Sequence, residues 1–247
     1  MQKERLDAIV AKRFNVSRSK AQGLIQTNKI KDGNGQVLNK QGLRVDPAIV
    51  LELVDGPPFV SRGGEKLKHA FEHFPIRVQG KTVIDVGAST GGFTDCLLQE
   101  GAAQVYAVDV GYGQLVWELR QNPKVIVLER CNIRNLTREQ LDVLPSFFTI
   151  DCSFISLTMV LSAVMELMAP NPEGLALIKP QFEAGKEHVS RGGVVRDAAV
   201  HARVIESVSE FAKGLGFSAV EVIPSPLLGP AGNREFLAWM HGFKKED

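Results

Sequence analysis

Between Thr82 and Asp95 the chain reads TVIDVGASTGGFTD, and few folds can use such a stretch. Val83, Ile84 and Val86 form a short apolar run, which predicts a buried strand ending near Asp85. Gly87, Gly91 and Gly92 then predict a turn, with a helix opening at about Phe93. The glycines leave the turn without side chains, so a ligand could lie against the backbone and face the NH groups of the helix start. Asp85, at the strand's carboxyl end, is expected to place a negative charge beside that space.

Spacing separates the enzyme classes that use such a turn. The dinucleotide fingerprint G-x-G-x-x-G fails, because Ser89 stands where its second glycine belongs. Gly87 to Gly91 does satisfy G-x-S-x-G, the nucleophile elbow of serine hydrolases. A hydrolase also needs a later acid and then a histidine, and only His188, His201 and His241 follow, none in a telling context. The third class binds S-adenosyl-L-methionine (SAM). Its first strand ends in an acid followed by a G-x-x-x-G-type turn, and the next strand ends in an acid that holds the ribose hydroxyls. Here the run from Gln104 ends in Asp109, 24 residues after Asp85, close to the roughly 20-residue interval of a ribose-binding acid. The motif therefore favours a SAM site over a hydrolase.

The rest of the chain reads as two unequal parts. Residues 1–58 hold ten Lys/Arg against six Asp/Glu, a net +4, and the remainder holds 19 against 22, a net −3. Leu6, Ile9, Val10 and Phe14 share one helical stripe, and Ala21, Leu24 and Ile25 a second. Residues 30–37 read as a tight turn between short strands, and 49–54 as a closing strand. Lys12, Arg13, Arg18, Lys20, Lys29 and Lys31 gather around the helix pair and its exit. Asp55-Gly56-Pro57-Pro58 is the best boundary, which gives a small domain over 1–55, a linker over 56–60 and a large domain over 61–247. Three cysteines at irregular spacing argue against a disulfide scaffold or a cysteine zinc site. No run approaches the roughly 18 apolar residues of a membrane span, so a cytoplasmic protein without a membrane partner is expected.

Beyond the central motif, apolar strands alternate with amphipathic segments. Strands are expected over 105–109, 125–128, 147–151, 175–179, 217–223 and 236–240, and helices over 157–168 and 198–215. Such alternation predicts an α/β domain: a mostly parallel, Rossmann-like seven-stranded sheet covered on both faces, with an antiparallel end. Several strands end in a functional group, among them Asp151 and Lys179. A lysine at the end of an apolar strand is costly unless paired, so Lys179 is expected to meet a carboxylate such as Asp151 in a cleft. Two SRGG tetrapeptides, at Ser61 and Ser190, read as mobile basic loops. The pattern H-x-x-E-H from His69 to His73 sits among core-like phenylalanines and reads as ordinary packing.

The N-terminal pattern Arg5-Leu6-Asp7, Ser17 to Ile25 (S-R-x-x-A-x-x-L-I) and Lys29 to Gly33 resembles the S-four RNA-binding domain, with Asn28 where glycine is often found. That resemblance implies a small α+β domain that sets basic side chains on structured RNA. The motifs VSRGGEKL (Val60 to Leu67), DVGASTGGFTD (Asp85 to Asp95), DVGYGQL (Asp109 to Leu115), DCSFISL (Asp151 to Leu157), IKPQFE (Ile178 to Glu183) and GPAGNREF (Gly229 to Phe236) resemble the TlyA family. These are FtsJ-like ribose 2'-O-methyltransferases of ribosomal RNA, some of which carry a haemolysin name.

The family resemblance implies a catalytic tetrad of Lys66, Asp151, Lys179 and Glu235. It implies SAM contacts from Asp85, Gly87, Ala88, Ser89, Gly91, Gly92, Phe93, Asp109 and Asn132, with Asp151 nearby, and RNA contacts that include Arg62. It further implies a ribosomal RNA or ribosomal subunit as partner, a cytidine of the large subunit as the expected target, and no metal. Two other readings compete with it: a membrane-active haemolysin, and a SAM-binding RNA-binding protein without catalysis.

Overall fold

The computed structural model describes residues 3–26, 28–54 and 58–244, so Asp55, at the end of the expected small domain, and Gly56 and Pro57 of the expected linker lie outside the described residues. Its contacts divide the chain into two units, Met1–Pro58 and Phe59–Asp247.

The first unit runs β1 (Glu4–Arg5), α1 (Leu6–Arg13), α2 (Arg18–Gln26), β2 (Ile30–Asp32), β3 (Arg44–Val45) and β4 (Leu51–Leu53). β1 pairs with β3 and β2 with β4, both antiparallel. The apolar stripes of α1 and α2 meet over Ile30, Leu38 and Leu51 to make one small core. Val37 makes only a single bridge to Lys31, so the main partner of β2 is β4 rather than the segment after the turn. Asn28 takes φ 59°, a left-handed conformation that asparagine tolerates better than most side chains.

Asp7 ties the two helices together, and it is fully buried. Arg5 donates to both its oxygens at 3.1 and 2.9 Å, Gln22 at 3.0 Å and Arg18 at 3.4 Å. The Arg5 guanidinium holds the Asp7 carboxyl well below the usual carboxylate range; burial opposes this, and Gln22 and Arg18 reinforce it.

The second unit runs α3 (Arg62–His73), β5 (Thr82–Val86), α4 (Gly92–Gln99), β6 (Gln104–Val108), α5 (Trp117–Arg120), β7 (Val125–Leu128), β8 (Phe147–Ile150), α6 (Leu157–Met165), β9 (Glu173–Ile178), α7 (Pro180–Glu183), α8 (Ala198–Gly214), β10 (Phe217–Pro224) and β11 (Phe236–Phe243). The strands form one seven-stranded sheet in the order β7-β6-β5-β8-β9-β11-β10. The first five are parallel, and β11 is antiparallel to both its neighbours. This is the expected α/β class.

Alternate residues of the buried strands serve opposite faces. Val83, Val105, Phe147, Leu175 and Leu177 pack with Leu67 and Ala70 of α3 and Leu97 of α4. Ile84, Tyr106, Phe148, Ile150, Ala176 and Ile178 pack with α6 and α8. From β5 the chain winds outward through β6 and β7, then returns to the other side for β8 and β9. The order therefore reverses between β5 and β8, and the crevice outside their carboxyl ends is where such sheets take ligands.

Two expectations need correction. α6 stops at Met165 rather than Met168, because the chain beyond it tightens to i→i−3 bonds, Leu167 N donating to Val164 O at 2.9 Å and Met168 N to Met165 O at 3.4 Å. The first SRGG is not a mobile loop: Ser61 caps α3 and Arg62 to Gly64 form its first turn. The second is a hydrogen-bonded turn, with Gly193 N donating to Ser190 O at 2.9 Å and Ser190 N to Val194 O at 3.1 Å. Among the described residues, no helix is long and apolar enough to cross a membrane.

The Asp7 cluster makes a measurable demand. A carboxyl held low in the folded state stabilises above its unfolded value of about 4, and that stabilisation is lost as pH falls further. Asp7→Asn should destabilise the first unit by about 2 kcal/mol at neutral pH. In urea unfolding the gap to wild type should narrow below about pH 4; a gap independent of pH would show that Asp7 carries no charge in the fold.

Candidate active site

An open cleft of about 580 Å³ lies at the carboxyl ends of β5, β8 and β9, and Lys66, Asp151, Lys179 and Glu235 all line it. Sheet direction explains their meeting. Asp151 directly follows β8 and Lys179 directly follows β9. Because β11 runs antiparallel to β9, with Phe236 opposite Ile178, the residue before β11, Glu235, arrives at the same edge. Lys66 comes from the second turn of α3.

The four side chains form two ion pairs. Lys179 Nζ lies 2.5 Å from Asp151 Oδ1 and donates to Ser153 Oγ at 3.0 Å. Lys66 Nζ lies 2.6 Å from Glu235 Oε2. The Glu235 side chain is fully buried, whereas that of Asp151 is 22% exposed. Such a pair is held more by the cost of separating it than by a large net gain, since an orphaned buried charge costs about 3 to 5 kcal/mol.

The glycine turn borders the same cleft through Gly87, Ala88, Ser89 and Gly92, but its glycines do more than clear space for a ligand. Gly91 caps α4 in the left-handed region at φ 100°. Gly87 has φ 87°, and a Cβ there would fall 2.5 Å from the Asp151 carbonyl oxygen. A Cβ on Gly92 would fall 2.2 Å from Ser61 Oγ. The turn is thus pressed against the start of α3 on one side and the end of β8 on the other. Phe93 follows on α4, buried and also at the cleft wall.

Asp85 departs from expectation. It is fully buried beneath the turn rather than beside the ligand space. Thr94 Oγ1 donates to one of its oxygens at 2.6 Å and Thr149 Oγ1 to the other at 2.8 Å. Burial pushes its carboxyl up to about 6, against the two threonine hydrogen bonds. Asp109 is half-buried at the end of β6 and receives Ser89 N at 2.8 Å and Gly111 N at 2.7 Å, one on each oxygen. Each oxygen keeps a second lone pair, so a vicinal diol could still donate to it. Asn132 caps the short 3-10 turn Ile133–Asn135 and accepts from Arg134 N; Cys131 N, just before it, donates to Asp109 O at 3.0 Å.

The nucleophile-elbow alternative has its strained turn, with Ser89 at φ 50°, but lacks a base. Ser89 Oγ donates to Gln114 at 3.3 Å, and among the described residues no histidine lines the cleft. His188 meets Arg203, His201 meets the Val195 carbonyl and His241 meets Glu221.

Residues that sequence reasoning passed over also shape the cleft. Phe154 lines it with 91% exposure and φ 65°, a costly backbone state for an aromatic residue. Its ring centroid lies 5.1 Å from that of Phe182. Ser61 and Ser153 stood inside motifs already singled out, next to residues that drew the attention. Of the basic residues, Arg62 is exposed and lines the cleft. In the first unit Lys12 and Lys20 are exposed, and Lys29 and Lys31 half-buried. Arg13 is engaged within the unit by Pro47 O at 3.0 Å and by Ile49 O, and Arg18 by Asp7.

Comparison with known proteins gives a consistent result. Residues 59–241 match the family model of FtsJ-like methyltransferases. The 16S/23S rRNA (cytidine-2'-O)-methyltransferase TlyA of Mycobacterium tuberculosis (strain ATCC 25618 / H37Rv) is 43% identical over 238 residues, 96% of this chain and 89% of that protein. The 23S rRNA (cytidine-2'-O)-methyltransferase TlyA of Campylobacter jejuni is 32% identical over 254 residues, 94% of this chain and 97% of that protein. A solved structure from Streptococcus thermophilus that carries a haemolysin name is 41% identical, with a TM-score of 0.75 over 99% of this chain and 90% of that one.

Asp85 yields a pH test with the opposite sign to Asp7. A carboxyl raised in the folded state favours folding below its unfolded value of about 4, and that advantage is lost as pH rises through about 6. Asp85→Asn, which cannot ionise, should therefore gain on wild type between pH 4 and 7 by up to roughly 3 kcal/mol. Denaturant midpoints of the two proteins that stay parallel across that range would refute the assignment.

Proposed function

This chain belongs to the FtsJ-like methyltransferase family, and from that premise we propose that it methylates the 2'-hydroxyl of a cytidine ribose in ribosomal RNA, with SAM as the methyl donor. What supports the reading is the convergence of Lys66, Asp151, Lys179 and Glu235 as two ion pairs in one cleft at the sheet's switch point. Both TlyA relatives are named for cytidine 2'-O-methylation, and 23S RNA is common to their names. Large-subunit RNA is accordingly the target we assign, and the cytoplasm, where ribosomes are made, the place of action.

SAM supplies an electrophilic methyl group. The turn from Gly87 to Gly92 and the free lone pairs of Asp109 fit such a ligand. Asp85 holds the turn from below rather than touching the ligand, and Asn132 braces the loop beside Asp109. A ribose 2'-hydroxyl is a poor nucleophile, so the residues around it must align it and take one proton. Lys179, steadied by Asp151 and Ser153, is the proton acceptor or its immediate partner once it has released its own proton to solvent, since only the neutral amine has a lone pair to offer. Lys66, fixed by Glu235, stands as the second cation. Phe154 offers an aromatic face at the cleft for a base to stack on.

The first unit serves as the RNA-binding domain, through Lys12, Lys20, Lys29 and Lys31, and Arg62 offers a separate RNA contact at the cleft of the second. Arg13 and Arg18 contribute mainly by shaping that unit. A membrane-lytic role has no comparable feature to rest on.

Three outcomes are expected. Lys179→Met should leave the affinity for SAM, read by calorimetry, nearly unchanged while slowing single-turnover methyl transfer by at least the roughly 100-fold typical of a positioned base. RNA with a 2'-deoxy target nucleotide should bind and accept no methyl group; transfer to it would mean that a base atom is the acceptor. Removing residues 1–58 should spare SAM binding and abolish RNA methylation, and full activity of the shortened chain would assign that unit another partner.

A further inference from the structure

The turn between β10 and β11 carries a second kind of information about the cleft. Gly229 lines the cleft six residues before Glu235, and a Cβ built on it would lie 2.0 Å from Glu235 Oε1, 2.6 Å from Cδ and 3.2 Å from Cγ. No side chain other than hydrogen fits there while Glu235 keeps its place. The backbone gives no reason for the glycine, since Gly229 is absent from the left-handed region that holds Gly232 and Gly242.

Neither partner can retreat easily. Gly229 N donates to Asn233 O at 2.9 Å and Gly232 N to Gly229 O at 3.1 Å. Asn233 is buried, and its side chain accepts from Val195 N at 3.0 Å and donates to Gly193 O at 2.8 Å, which clasps this turn to the second SRGG turn. Glu235 is held at its backbone by Ser225 N, which donates to Glu235 O at 2.9 Å. Its carboxylate is held by Lys66. The remaining oxygen, Oε1, is buried with no hydrogen-bond partner among the described residues, so packing against Gly229 rather than a second hydrogen bond determines where it sits.

We propose that Gly229 is a positioning residue: its bare Cα is the surface against which the Glu235 carboxylate is set, and through Glu235 it places Lys66. The inference rests on the reading of Glu235 and Lys66 as parts of the methyl-transfer site. An alanine at 229 keeps every backbone hydrogen bond of the turn and pushes the carboxylate off Lys66. The worst contacts are with Oε1 and Cδ at the end of the side chain, so a carboxylate one methylene shorter should relieve them in part.

The test uses the full chain with large ribosomal subunits from cells lacking the methylation. Gly229→Ala should slow single-turnover methyl transfer by at least about 10-fold, as expected for an ångström-scale misplacement, with SAM affinity within twofold of wild type. The double variant Gly229→Ala/Glu235→Asp should be faster than Gly229→Ala alone, the coupling expected of groups in contact. If Gly229→Ala folds poorly, the same double variant should recover the folding yield. Wild-type transfer by Gly229→Ala would overturn the inference, as would a double variant that restores neither rate nor folding. Glu235→Ala separates the two levels: full activity there would refute the site reading itself, whereas inactivity there beside a fully active Gly229→Ala would refute only the role of Gly229.

Discussion

A carboxylate taken out of water at the end of the central strand sets the frame for the rest of the site. Among the described residues no cation stands beside Asp85, and hydroxyl donors from two other elements make its burial tolerable: Thr94 on α4 and Thr149 on β8. An unsatisfied buried charge costs far more than a hydrogen bond returns. The three elements are therefore constrained to one arrangement. That arrangement fixes where the glycine turn crosses the end of β5 and how far it stands from Asp151, whose carbonyl leaves room for no side chain at Gly87. Order in the cleft begins below it.

Direction within the sheet supplies the second constraint. Parallel strands bring their carboxyl ends to one edge, which accounts for Asp151 and Lys179. An antiparallel neighbour is then the only strand that can present its beginning there, which accounts for Glu235. The result is a cleft with two cations and two carboxylates, each charge compensated within reach of a hydrogen bond. These four cancel among themselves, which leaves Arg62, also on the cleft wall, to attract a polyanion there. On the proposed function, capture of RNA falls to the basic first unit and to Arg62, and the chemistry to the two ion pairs of the cleft.

Much of this was legible in the sequence, and what was missed shares a cause. β7 has the expected bounds, and the Lys179 pair with Asp151 followed from the cost of a lone ammonium at a strand end. β9 begins earlier than expected, at Glu173, because Gly174 does not look like a strand residue; it is one because a Cβ there would strike the Phe148 ring at 2.3 Å. The first SRGG looked like a loop because glycines weaken helices. Tertiary packing overrides that preference, since a Cβ on Gly64 would meet Phe59 at 2.2 Å. Asp85 was placed at the right strand end and on the wrong side of it, because its donor Thr149 is 64 residues away. Local pattern reports which residues are apolar; it does not report which distant atom already occupies the space beside them.

The position of β11 carries a consequence for the order of assembly. It is the last strand of the sheet in chain order, yet it lies between β9 and β10 rather than at the rim. β10 has no strand partner but β11 among the described residues, so until β11 pairs with it, β9 presents an open row of backbone donors and acceptors, the kind of exposed edge that invites pairing with another chain. Glu235 travels at the head of the same strand. The event that seals the sheet against misassembly is thus also the event that gives Lys66 its counter-ion, and a molecule caught before it is both sticky and inert.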